Sequence, residues 1–243
     1  RAEIERDVQV LNELDAQYGA TLGITNDWNS VKTEWKSLSA DLAGIESKAS
    51  FVRHTQLIAH ILHFMVSVAD ASGLTLDADM ESHYMIDAVV NRISWEMEYL
   101  GQARALAVGL AARRAATTEE KVHLTGLLSV INNSNDSSDH ALSVVTKVSP
   151  GARARLEPTY AAAQQAVRSY ITHLQKHFQE AEAPEMSASE IFTVATQTIH
   201  QFVDLSQIVF QTLDERMALR IQNAQNHALL VGGFCAGLTL LAL

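Results

Sequence analysis

Residues 72–111, SGLTLDADMESHYMIDAVVNRISWEMEYLGQARALAVGLA, carry the pattern that decides the fold. Asp77 stands at the front of this stretch, where a carboxylate accepts hydrogen bonds from the free N–H groups of a first helical turn. Behind it Ile86, Val90, Ile93, Met97 and Leu100 recur at alternating steps of four and three. That is the narrow apolar seam of a helix packed lengthwise against other helices. The same stepping lands on Arg104 before returning to Ala107 and Ala111. A cation in an apolar seam needs a counter-charge, water or a bound anion, because a lone buried charge costs several kcal/mol. The spacing thus predicts a core helix near 79–114 with Arg104 as its polar interruption.

The segments on either side carry the same signal. Ile4, Val8, Leu11, Leu14, Tyr18 and Leu22 form one stripe, which predicts a helix over about 1–23. After Thr25-Asn26-Asp27, Trp28, Val31, Trp35, Leu38, Leu42 and Ile45 repeat by threes and fours. Phe51, Leu57, Ile61, Met65 and Val68 continue the pattern to Gly73, a helix stop. The pattern over 27–71 fits either one helix or two with a joint near Ser47–Ser50. Thr117…Glu120 and Ser187…Glu190 are capping boxes, in which hydroxyl and carboxylate satisfy each other's backbone N–H groups. They start helices near 117–148 and 187–243. Ser149-Pro150 opens another over about 151–181, with Pro158 as a kink or a later start.

Three prolines and eleven glycines in 243 residues are too few for a sandwich or barrel. The expected fold is therefore all-α, an elongated antiparallel helical bundle. A formal charge of −10 argues against nucleic acid as partner, since phosphate binding needs a concentrated basic surface. The lone cysteine, Cys235, makes no disulfide framework. From Ala228 to Leu243 sixteen residues run without a charge, against the roughly 20 needed to span a bilayer. The expectation is a truncated transmembrane helix over 228–243, anchoring a domain of residues 1–227. No Lys or Arg lies between Ile221 and Leu243, which favours placing that domain outside the cytoplasm.

A short turn near Ala116 makes its two flanking helices antiparallel, which puts Arg92 level with the polar run NNSNDSSDH at 132–140. One reading is a polar cavity lined by Arg92, Asn135, Asp139 and His140; the other is a structural ion-pair network with Arg92 held by Glu96. His173 and His177 have a spacing that chelates metals, but no third ligand accompanies them. No phosphate loop, nucleophile elbow or di-iron motif is present, so no catalysis, cofactor or metal is expected.

LTLDADMESHYMIDAVVNR (74–92), between VADASG and ISWEMEYLGQARALAVG, resembles a segment of the extracytoplasmic sensor regions of bacterial chemoreceptors (methyl-accepting chemotaxis proteins) and related sensor kinases. FVRHTQLIAHILHFMVSVAD and SASEIFTVATQTIHQFVDL are similar to the segments that precede and follow it there. Where that pattern has a proline, an aromatic–Tyr pair, an Asp and an Arg, this chain has Ala78, His83-Tyr84, Asp87 and Arg92. The first-helix arginine pair of some such sensors is replaced by Gln17-Tyr18-Gly19. The resemblance implies two stacked four-helix modules, a homodimer at the inner membrane with this domain on the periplasmic side, and a small-molecule ligand, with anions among the candidates. Binding would shift the packing of the last helix. Arg92 and Arg104 are the first ligand-binding candidates, with Tyr84, His83, Asn135 and His140 as accessories. The rivals are the input domain of a histidine kinase or diguanylate cyclase, and a purely structural bundle.

Overall fold

A computed structural model describes residues 2–180 and 186–241, with side chains for 2–178 and 186–232. Among these residues helix is the only regular structure. Helix α1 (Ala2–Leu14) continues through a π-helical turn at Asp15–Gly19 into Ala20–Leu22. Helix α2 spans Thr25–Asp41 and α3 Ser47–Ala71. A 3₁₀ turn at Leu74–Leu76 leads to α4, which runs from Met80–Asp87 through a π turn at Ala88–Ile93 into Ser94–Arg113. Helices α5 (Thr118–Val148), α6 (Pro150–Leu174, extended by a π turn Gln175–Glu180) and α7 (Ala188–Leu241) follow.

The expected boundaries stand, with two refinements. The 27–71 stretch is two helices, broken at 42–46 rather than near Ser47–Ser50. Helix α6 starts at Pro150 and carries Pro158 in its interior. Both capping boxes close: Thr117 and Glu120 bond each other's backbone N–H groups, and so do Ser187 and Glu190. Gly73 takes φ +77°, the left-handed geometry that ends a helix without a side-chain clash.

Helices α4 to α7 pack in a closed ring, each against its two neighbours. Their shared core includes Leu100, Leu110, Leu124, Ile131, Leu142, Leu156, Tyr170, Phe202 and Val209. Helices α1 to α3 form a smaller layer around Trp28, Val31, Leu38 and Leu57. There α1 buries no residue between Ala2 and Leu14. It is tied by Asn12 Oδ1, which accepts from Trp28 Nε1 and Lys32 Nζ at 3.0 and 2.9 Å. The small layer joins the ring chiefly where α3 lies along α4.

Three expectations are corrected. Asp77 is not the N-cap of α4. Asp79 is, accepting from Ser82 N–H at 3.0 Å, while Asp77 accepts from the Asp79 N–H at 2.8 Å in a turn just ahead of the helix. The α4 seam after the π turn buries Glu96, Leu100, Ala103, Ala107 and Leu110, whereas Met97 and Arg104 lie at its edge. The third concerns the membrane. Among the described residues no helix is long and apolar enough to cross one, so a transmembrane anchor and a periplasmic placement at the inner membrane are not supported. The part of the apolar run with described side chains ends at Gly232, and the side chains of 233–243 lie outside the described residues.

Asp79→Ala should lower the unfolding free energy in chemical denaturation by about 1–2 kcal/mol, through loss of the cap. Amide exchange at Ser82 should accelerate in that variant and not in Asp77→Ala. Equal effects in both would return the cap to Asp77.

Candidate functional site

The proposed site residues do not form one cluster; the ring distributes them over four places. Tyr84 and His140 meet edge to face across α4 and α5, their ring centroids 6.2 Å apart. His83 adds an edge contact to Tyr84 at 5.6 Å. His83 and His140 are exposed, so this cluster sits on the outer surface. Asn135 faces the opposite way. It is buried and donates its Nδ2 to Gln164 Oε1 of α6 at 2.8 Å. Arg104 points to α7, where it donates to Thr196 Oγ1 at 2.9 Å and lies 5.1 Å from the Phe192 ring centre.

Arg92 stands apart from these. Its partner is Asp87, one π-helical turn earlier, and not Glu96: Nε donates to Asp87 Oδ2 at 2.6 Å. The other Asp87 oxygen accepts from Asn91 Nδ2 at 3.1 Å, so one carboxylate orients both side chains. The two terminal nitrogens of Arg92 make no hydrogen bond among the described residues. Arg92 lines an open, shallow cleft of about 430 Å³ between α4 and α5, walled by Trp95 and Tyr99 on one helix and by Asn133, Ser134 and Ser137 on the other. Trp95 is itself braced by His63 of α3, edge to face at 5.4 Å, and by Tyr99 at 6.1 Å. An arginine fixed through Nε with its other two nitrogens open is shaped to grip a carboxylate through paired hydrogen bonds.

No protein-family model, curated protein or solved structure matches this chain. The assignment of a site therefore rests on geometry.

Two polar features of the ring escape any reading of the seam. The first is a layer in its interior. Glu96 is fully buried, accepts from Ser138 Oγ at 3.0 Å and leaves its other oxygen unbonded; Asn135 Oδ1 and Gln164 Nε2 are equally buried and unbonded. Burial, with Asp136 adding repulsion against the opposing Ser138 bond, pushes the Glu96 carboxyl up to about 8. The second is an acid–arginine clasp at the start of α4. Arg220 of α7 binds both Asp77 oxygens at 2.8 Å, and Arg216 reaches Asp79 at 3.1 Å and Glu81 at 3.5 Å. The Ser82 N–H bond and Arg216 hold the Asp79 carboxyl below the usual range. In the sequence, LDADMES announced a helix start, and nothing nearby announced arginines more than a hundred residues away.

Glu96 is protonated in the fold over a range where the unfolded chain releases its proton. Its contribution to stability is therefore full below about pH 4.5 and lost as pH rises to about 8. Glu96→Gln keeps an acceptor for Ser138 and should remove that slope, leaving the variant more stable than the parent at pH 8 in urea titrations. A parent whose stability is level across that interval would show that the carboxyl is hydrated.

Proposed function

We propose that this chain is a non-enzymatic sensor module of the chemoreceptor type, which binds a small carboxylate at Arg92 and passes the event on through α7. The observation that carries the reading is the Asp87-braced guanidinium, open at both terminal nitrogens beside Trp95 and Tyr99. The resemblance of residues 74–92 to chemoreceptor sensor regions supports the class; beside the four-helix ring lies a layer of three helices where the resemblance implies a second module of four.

A carboxylate in the cleft would pull on the π turn Ala88–Ile93, which carries Arg92 itself. Such turns concentrate at functional sites. Rotation of α4 reaches α7 through the Arg216 and Arg220 clasp and through Arg104–Thr196. Ligand preference for one packing then shifts the population between two. Val10, Leu14 and Tyr18 present an exposed apolar face on α1, which supports a second copy as partner.

Calorimetric titration with a panel of acetate, malate, benzoate and amino acids should find saturable binding. Arg92→Ala should weaken it about ten- to a hundredfold, the loss of one charge-assisted contact of 1.5–3 kcal/mol. Arg104→Ala should lower the melting temperature and leave affinity unchanged. If no member of the panel binds, or if Arg92→Ala binds as the parent does, the reading fails.

A further inference from the structure

A second cavity, of about 740 Å³, lies between the α1–α3 layer and the ring. It is larger than the Arg92 cleft and of opposite character. Five helices contribute walls: α1, α2 and α3, with Val90 of α4 and Phe210 of α7. Trp28, Ile61, Phe64 and Met65 supply much of the surface, which is almost wholly carbon. Some of that surface is left in contact with solvent, since Ile61 and Phe210 are 38% and 43% exposed. Water filling such a space finds few hydrogen-bond partners. An apolar occupant would remove the walls from water, a gain in proportion to the area covered.

The shape limits what that occupant is. A helix is about 10 Å across and rises 1.5 Å per residue, so roughly six residues would fill the volume. Helix-in-groove recognition uses anchors spread over two or more turns. A small molecule fits better, because ligand cavities run from about 300 to 1,000 Å³. The polar residues among the walls are Asp7, Lys32 and His54. His54 gives its Nδ1 to the Ser50 carbonyl and hydroxyl. Lys32 spends one bond on Asn12, at 2.9 Å, and stands 5.5 Å from the Trp28 ring centre. An ammonium has three N–H donors, so Lys32 retains capacity for an anionic head.

We propose that this cavity is a second binding site, for an amphipathic monocarboxylate whose apolar tail lies among Trp28, Ile61, Phe64, Met65 and Phe210 and whose carboxylate meets Lys32. It is independent of the Arg92 cleft and differs from it in ligand chemistry.

The test is titration of the full chain with decanoate, kept below its micelle-forming concentration, by calorimetry and tryptophan fluorescence. The chain has three tryptophans, and in a Trp95→Phe background the signal comes from Trp28 and Trp35 at the cavity. Saturable binding with a change in that signal is expected. Ile61→Trp fills the space from a partly exposed position and should abolish binding while leaving the helical circular dichroism intact. Phe210→Trp is the second variant, should Ile61→Trp not fold. Lys32→Ala should weaken decanoate about tenfold and leave decanol unaffected. Arg92→Ala should bind decanoate like the parent, whatever becomes of the carboxylate panel. Absence of saturable binding would overturn the proposal. So would unchanged affinity in a folded filling variant, loss of decanoate binding in Arg92→Ala, or a dimer that dissociates in Ile61→Trp without any decanoate binding, which would seat a second copy there.

Discussion

Two heptad seams on α4 share Ile93, Leu100 and Ala107, and they differ in which flank turns inward. One flank presents Met97 and Arg104, the other Glu96 and Ala103. The π turn at Ala88–Ile93 accommodates more residues per turn than an α-helix and rotates whatever follows, each residue being worth about 100° of azimuth. The flank that faces the ring is Glu96 and Ala103. Ala103, Ala107 and Ala111 are buried on this flank, and α7 packs along α4. The same rotation moves Arg104 outward to Thr196 and Phe192, where it needs no buried counter-charge. It also sets Arg92 within reach of Asp87.

Placing Glu96 inside has a cost that hydrogen bonding only partly offsets. Ser138 supplies one bond, Asn135 and Gln164 pair with each other, and each pair leaves polar atoms unbonded in the core. A ring with a layer of this kind is less firmly held than an all-leucine one, since a half-satisfied polar network gains little from its particular packing. The clasp of Asp77, Asp79 and Glu81 on Arg216 and Arg220 holds the ring at another level, where the two guanidiniums stay partly hydrated and their desolvation is cheaper.

The two cavities differ because their walls do. The Arg92 cleft is cut between α4, at and just after its π turn, and the antiparallel α5, and takes its polarity from the serine and asparagine run of α5. The apolar cavity is lined on one side by α1, which has no fully buried residue over Ala2–Leu14 and is tied to α2 by the Asn12 bonds to Trp28 and Lys32.

The sequence by itself determined the helices, their caps and most of their ends. Capping boxes, the Ser149-Pro150 start and the Gly73 stop act through neighbouring backbone groups, so they are complete within a few residues of chain. Asp77 and Asp79 divide the turn and the cap between them, a choice too local to separate by residue type alone. Arg92 was legible as a candidate because a polar run on the next helix faced it across a short turn. The tertiary structure decided the rest. Which flank of α4 is buried depended on a π turn that leaves no mark in apolar spacing. Arg220 found Asp77, and Arg104 found Thr196, across separations of 143 and 92 residues that no periodicity spans. Trp28 and Ile61 read as core seams, and only the spacing of five helices left a cavity between them and Phe210. Side-chain pattern acts within one helix, whereas the distance between helices is fixed by everything packed around them.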